Sequence, residues 1–208
     1  MPARQRAARV AFVPQRPEAA FNYSVMQMVL MGRWAAGALA AGVPDGPDPP
    51  LQGGHSAHWL GLESGADLVA AQEAMWAVDV HALAGRGFHT LSGGERQRVV
   101  VARALAQGAA AVLLDEPTAA LDIYHQLELL SHLKQLAQRG HTVVAVLHDV
   151  NAAAAWADHA VLMDQGAVVA AGAPDAALSP ENLEQVYHVL VQRREGQLRF
   201  QRKPSGGA

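Results

Sequence analysis

Two periods of apolar residues alternate with polar breaks along the chain and divide it into segments of different character. Arg9 to Val13 is a short apolar run stopped by Pro14, which predicts a strand leaving a sheet at Gln15. Beyond it, Val25, Met28, Val29 and Met31 recur at helical spacing, so Val25 to Trp34 reads as a helix. The stretch from Gly37 to Gly54, dense in Gly, Pro and Asp, reads as a flexible loop. Helical periodicity returns from Leu60 to Leu83, with Leu62, Leu68, Val69, Met75, Trp76 and Val80 on one broad stripe. Two helices around a loop predict a small helical lobe.

From Ala109 the pattern switches to alternating strands and helices. Ala109 to Leu114 is a continuous apolar run, as expected of a strand buried on both faces, and Thr142 to Leu147 is a second one. Between them Ile123, Leu127, Leu130 and Leu133 follow helical spacing until Gly140 closes the helix. Asn151 to Ala157 is Ala-rich and helical. His159 to Met163 and Ala167 to Ala171 flank Asp164-Gln165-Gly166 as a strand pair, and Ser179-Pro180 opens a last helix running to about Val189. This order predicts an α/β core with a parallel sheet, interrupted near its start by the helical lobe.

Several polar residues stand where such a core collects chemistry. Ser92-Gly93-Gly94-Glu95 has capping-box spacing, so a helix starts there with exposed amides and the positive end of its dipole, a tip suited to an anion such as phosphate. Asp115 follows an apolar strand, at the carboxyl edge where open α/β sheets bind ligands, and Glu116 is next to it. A carboxylate there suits hydrated Mg²⁺, and a neighbouring one can polarise a water that attacks a phosphate. Gln15 and His148 also close predicted strands. Alone, each is an ordinary strand-end residue. His55 and His58 lie in the Gly-rich loop without a third ligand, which argues against a metal site. The tryptophans at 34, 59, 76 and 156 read as lobe and core packing.

The motifs Leu91-Ser92-Gly93-Gly94-Glu95-Arg96-Gln97, Leu113-Leu114-Asp115-Glu116-Pro117, Leu121-Asp122 and Leu147-His148-Asp149, in that order behind Val13-Pro14-Gln15, resemble those of the ATPase subunits of ATP-binding-cassette (ABC) transporters. The resemblance covers nearly the whole chain. It implies a RecA-like P-loop NTPase core with an inserted helical subdomain, and ATP and Mg²⁺ as cofactors. In its terms Ser92, Gly93, Gly94 and Glu95 form the signature that meets ATP held by an opposite subunit. Asp115 and Gln15 serve Mg²⁺, Glu116 is the general base, His148 is the switch histidine, and Asp122 ends the loop from Ala119 that communicates across a dimer.

Within the family, Val29-Leu30-Met31-Gly32-Arg33 and Leu121-Asp122-Ile123-Tyr124-His125-Gln126 are similar to importers of iron-siderophore, haem or cobalamin chelates. Zinc and manganese importers are similar in the first segment. The implied partners are permease transmembrane subunits and a second ATPase subunit, with the chain at the cytoplasmic face of the membrane.

Composition fits this and excludes other classes. Across 208 residues, 50% hydrophobic and 17% charged, no apolar run approaches the roughly 20 residues of a bilayer span. Zero cysteines exclude disulfides and thiolate metal sites, and a net charge of −3 gives no electrostatic case for nucleic acid. The basic cluster from Arg193 to Lys203 reads as a solvated hairpin and tail.

One expected element is missing. The phosphate-cradling G-x-x-x-x-G-K-[ST] loop does not occur, since the two lysines are Lys134, before Gln135, and Lys203, before Pro204. The expected core is therefore incomplete, without its N-terminal strands and P-loop. The segments expected are 1–15 as the end of the N-terminal core, 16–108 as helical subdomain with signature, 109–192 as the C-terminal core, and 193–208 as hairpin and tail. A truncated transport ATPase, a non-catalytic subunit that donates its signature to a complete partner, and a soluble cassette protein all remain open at this point.

Overall fold

A computed structural model describes residues 9–17, 19, 21–40 and 65–203, with the backbone alone for 34–40. The chain divides into two compact units, Met1–Val146 and Leu147–Ala208.

The first unit contains a parallel sheet of β1 (Val10–Val13), β2 (Ala111–Asp115) and β3 (Thr142–Val146), in that order, with Phe12, Leu113 and Val144 in one register row. Residues alternate between faces along a strand. Ala11, Val13, Val112, Leu114, Val143 and Ala145 join the core, whereas Phe12, Leu113, Val144 and Val146 are exposed. The expectation of two strands buried on both faces is therefore corrected. An apolar run shows that both faces can be covered, not that they are.

The helical lobe consists of α1 (Val25–Ala40), α2 (Gly65–Ala77) and α3 (Gly93–Ala106). The first helix continues through Gly37 to Ala40, where the composition predicted loop; the rest of that predicted loop, with His55, His58, Trp59, Leu60 and Leu62, lies outside the described residues. Two short 3₁₀ turns, His81–Leu83 and Phe88–Thr90, lead to α3. Helix α1 begins with a capping box, in which the Ser24 amide donates to Gln27 Oε1 (2.9 Å) and the Gln27 amide to Ser24 Oγ (3.2 Å).

Helix α1 then crosses α3 very closely, because Gly32 has no side chain. A Cβ at Gly32 would stand 2.1 Å from the Arg103 carbonyl oxygen. The next residue, Arg33, ties the lobe together: Nη1 donates to Ala106 O (2.9 Å) and Nε to Asp67 Oδ1 of α2 (2.8 Å). Trp76, expected in the packing, is exposed, with its ring stacked on His81 at 3.4 Å.

After β2, helix α4 (Ile123–Gln138) packs on β3 and contributes Leu129 and Leu133 to the core, leaving Ile123 and Leu127 exposed.

The second unit contains α5 (Val150–Trp156), the hairpin of β4 (Ala160–Asp164) and β5 (Ala167–Gly172), α6 (Pro174–Ala177), α7 (Pro180–Tyr187), and the hairpin of β6 (Leu190–Arg194) and β7 (Gln197–Gln201). Both hairpins close through two residues at positive φ, Gln165-Gly166 and Glu195-Gly196, a geometry that matches strand twist. Ser179 caps α7, its Oγ accepting from the Asn182 amide at 3.3 Å. Leu162, Leu178, Leu183, Val191 and Leu198 form the core of this unit. Arg193 is not simply solvated: its guanidinium pairs with Asp175 and donates to Leu178 O. Among the described residues no helix is long and apolar enough to cross a membrane.

Candidate functional site

The tip of α3 has the geometry its spacing predicts. Ser92 is the N-cap, its Oγ accepting from the Glu95 amide (3.2 Å) while the Ser92 amide donates to Glu95 Oε2 (2.7 Å). That amide bond is the main cause holding Glu95 below the ordinary carboxylate value, and the Ser92 hydroxyl and Arg86, 3.4 Å away, act in the same direction. Two orphan groups of the helix end are thereby used, and Gly93 adds no side chain over the remaining amides.

The loop after Glu116 packs against this tip. A Cβ on Gly94 would lie 3.0 Å from Ala120 O, so the helix end and the loop are in direct contact at that glycine. The first turn of α4 holds the loop from the other side. Gln126 Nε2 donates to both Thr118 O and Leu121 O (3.1 Å each), and Asp122, the N-cap, accepts from the His125 amide (3.0 Å) and faces His125 Nδ1 (2.8 Å). The backbone bond from His125, followed by the imidazole contact, lowers the Asp122 carboxyl below its ordinary value. Ser92, Gly94, Glu95, Arg98, Ala120, Leu121, Asp122 and His125 line one open groove of about 510 Å³. The structure thus brings the signature residues and Asp122 into one surface.

A second cluster lies at the carboxyl end of the sheet. Asp115 is the last residue of β2, and Glu116 follows with φ of +47°, its amide donating to Val146 O of β3 (3.1 Å). That left-handed kink turns the chain out of the sheet at the carboxylates. Gln15, two residues beyond β1, donates from Nε2 to Glu116 Oε2 at 2.6 Å. An amide and two carboxylates are hard oxygen donors gathered at one sheet edge, a donor set that fits Mg²⁺. Among the described residues no group of three or more His, Asp or Glu side chains is placed to hold a metal ion by itself. His148 is exposed and lies just after β3, two residues into the second unit.

One buried polar group was not anticipated. Gln97, on α3, is 1% exposed, and neither its Nε2 nor its Oε1 has a hydrogen-bond partner. The sequence places it next to Arg96 in the signature, where an apolar residue would sustain the helical pattern. The Ser24–Gln27 box was equally unanticipated, although S-x-x-Q spells it.

A family model described as ABC transporter matches residues 2–119. The hemin import ATP-binding protein HmuV of Gloeobacter violaceus is 42% identical over 190 residues, covering 88% of this chain and 61% of that protein. The protein of the same description from Myxococcus xanthus is 39% identical over 196 residues, covering 91% and 65%. The chain therefore spans about three-fifths of the length of these relatives. Among solved structures, a metal-chelate type ABC transporter in an inward-facing conformation is similar at 29% identity and a TM-score of 0.68, covering 93% of this chain and 70% of that one. The dimeric post-hydrolysis cassette MJ0796 bound to ADP and Pi shares the fold at 24% identity and a TM-score of 0.63, covering 82% and 65%. With a family match over more than half of its residues and relatives near 40% identity along almost nine-tenths of it, the chain belongs to the ATPases of ABC transporters.

Proposed function

We propose that this chain supplies the signature and hydrolytic side chains of an importer ATPase whose cargo is a haem, iron-siderophore or cobalamin-type chelate. The observation that carries the reading is the single groove in which Ser92, Gly94 and Glu95 meet Asp122. The names of the relatives, which concern hemin import, support the cargo class.

In this reading Ser92, Gly93, Gly94 and Glu95 present backbone amides and a hydroxyl to the γ-phosphate of ATP held by a second ATPase subunit. Asp122 fixes the loop beside them. Asp115 and Gln15 would hold Mg²⁺, which would offset charge on the phosphate oxygens. Glu116 accepts a proton from the attacking water at a carboxylate oxygen, and Gln15 restrains that carboxylate through its amide. His148 donates to the γ-phosphate from its imidazole. The fit to ATP is partial, because a lysine-bearing phosphate loop is absent from these 208 residues. Permease subunits, a paired ATPase subunit and a place at the cytoplasmic face of the membrane complete the proposal.

The test mixes this chain with an intact homologous ATPase whose own signature is broken. Mg²⁺-dependent hydrolysis should be restored at one composite site and lost again with Ser92→Arg. No restoration at any ratio defeats the proposal. The missing lysine loop favours one second reading, a non-catalytic subunit that donates its signature.

A further inference from the structure

The groove at the tip of α3 is lined by two carboxylates, Glu95 and Asp122, where the function above places a phosphate. Both carboxyl groups are held below their ordinary values, so both are charged at neutral pH. Among the described residues, two guanidinium groups answer them. Arg86 lies 3.4 Å from Glu95, and Arg98, part of the lining, favours the charged form of both acids. These fixed charges cancel, and a neutral groove gives a polyanion no net attraction. His125, on the same lining, decides the sign.

The imidazole of His125 is held from two sides. Its Nδ1 is 2.8 Å from Asp122 Oδ2, and Tyr124 meets the ring edge to face, with centroids 5.2 Å apart at 83°. An ionised carboxylate can only accept, so the proton of the neutral ring is on Nδ1. Nε2 is then the nitrogen that changes with pH: a lone pair in the neutral ring, a cationic N–H donor once a second proton arrives. The lone pair repels a phosphate oxygen, and the N–H binds it with a charge-assisted hydrogen bond. Helix capping does not account for the imidazole, because Asp122 Oδ1 already accepts the His125 backbone amide at 3.0 Å.

We infer that His125 is a phosphate-contact residue of the signature groove, positioned by Asp122, and that a proton on its Nε2 turns the groove from refusing an oligophosphate to accepting one. The inference rests on the proposed meeting of this groove with phosphate. The proton comes from solvent, and no bond other than N–H forms or breaks.

The first experiment is ring-nitrogen NMR of the full chain labelled at histidine, with the His125 signals assigned through His125→Gln. Nδ1 should carry the proton in the neutral ring. Inorganic tripolyphosphate should raise the pH midpoint at which His125 protonates, beyond any effect of sodium chloride at equal ionic strength. The second experiment mixes the chain with the intact homologous ATPase whose own signature is broken. Above the His125 midpoint read by NMR, kcat/KM of the composite site should fall about tenfold per pH unit, as for one essential proton. His125→Asn keeps a donor for Asp122 and does not reach the Nε2 position. It should lose about tenfold in kcat/KM below that midpoint, together with the pH dependence. The amide of His125→Gln reaches the Nε2 position, so this variant should retain more activity than His125→Asn and be equally insensitive to pH. Urea midpoints matching the parent show that both variants keep the cap. The inference is overturned by a His125→Asn variant with the rate and pH profile of the parent, by a neutral ring protonated on Nε2, or by a midpoint that tripolyphosphate moves no further than sodium chloride. If the parent restores hydrolysis while any of these holds, the functional reading stands without His125. If tripolyphosphate raises the midpoint and hydrolysis is restored at no pH, the ATPase reading falls and the phosphate contact stays.

Discussion

Gln15 Nε2 donates to Glu116 Oε2 at 2.6 Å, although 101 residues separate the two in the chain. The contact places a neutral amide donor against a carboxylate oxygen. Gln15→Glu would replace it with two carboxylates at hydrogen-bonding distance, and these cannot both ionise freely. One of the pair then has a folded-state pKa above its unfolded value, so the variant is destabilised at neutral pH and recovers as the pH falls. Exposure of Gln15 limits the loss to about 0.5–1 kcal/mol. Urea unfolding of variant and parent near pH 7 and near pH 4 checks it; equal losses at both would refute the close approach.

The left-handed backbone at Glu116, φ +47°, costs any residue with a Cβ about 1 kcal/mol. Glu116→Gly should therefore be more stable than Glu116→Ala by about that amount. Both variants lose the Gln15 contact, so their difference isolates the backbone. Denaturant midpoints decide, and an alanine variant as stable as the glycine one would mean an ordinary conformation at 116.

Gly32→Ala drives a methyl group to within 2.1 Å of Arg103 O, and two helices must separate to admit it. We expect a loss of about 1–3 kcal/mol, measured by thermal or chemical unfolding. Gly94→Ala meets Ala120 O at 3.0 Å, where a shift of a few tenths of an ångström suffices, and should cost well under half as much. The reverse ranking would contradict this packing.

Replacing Gln97 with Met keeps the shape of the side chain and removes two buried polar atoms that lack partners. The variant should gain about 1 kcal/mol, seen as a raised melting temperature. A fall in stability would show that the amide is satisfied after all.

Glu95 and Asp122 both have carboxyl groups held below their ordinary values of 4.5 and 3.8. For depressed acids the folded state binds fewer protons than the unfolded one, so stability rises with pH across this range. Their capping contribution is complete above the ordinary values and disappears as the pH falls through the lower folded ones. Titration from about pH 6 to about pH 3, following the Glu95 and His125 amides by NMR, should show both cap bonds weakening. Glu95→Gln and Asp122→Asn should each flatten the response at its own cap.

The capped tip of α3 was legible because four adjacent residues carry the whole device, from Ser92 to Glu95. An α/β core with a parallel sheet followed from apolar runs and the resemblance together. Exposure did not. Leu113 and Val144 have the same side chains whether or not an element lies over them, and periodicity reports only one strand at a time. The kink at Glu116 was hidden because a positive φ usually signals itself with glycine or asparagine. Gln97 was hidden for the opposite reason: its polarity suggested a surface position in a helix that buries it. The pairing of Gln15 with Glu116 depends on β1 and β2 lying side by side, information held in neither strand alone.

Arg33 and Gly32 change what a family comparison can mean. The segment Val29–Arg33 carries the resemblance both to chelate importers and to zinc or manganese importers, and here its last two residues set the approach of α1 to α3 and latch three helices through Asp67 and Ala106 O. Likeness in this stretch reports the angle and spacing of a helical lobe. It is therefore accounted for by helix packing, and carries no information about a cargo.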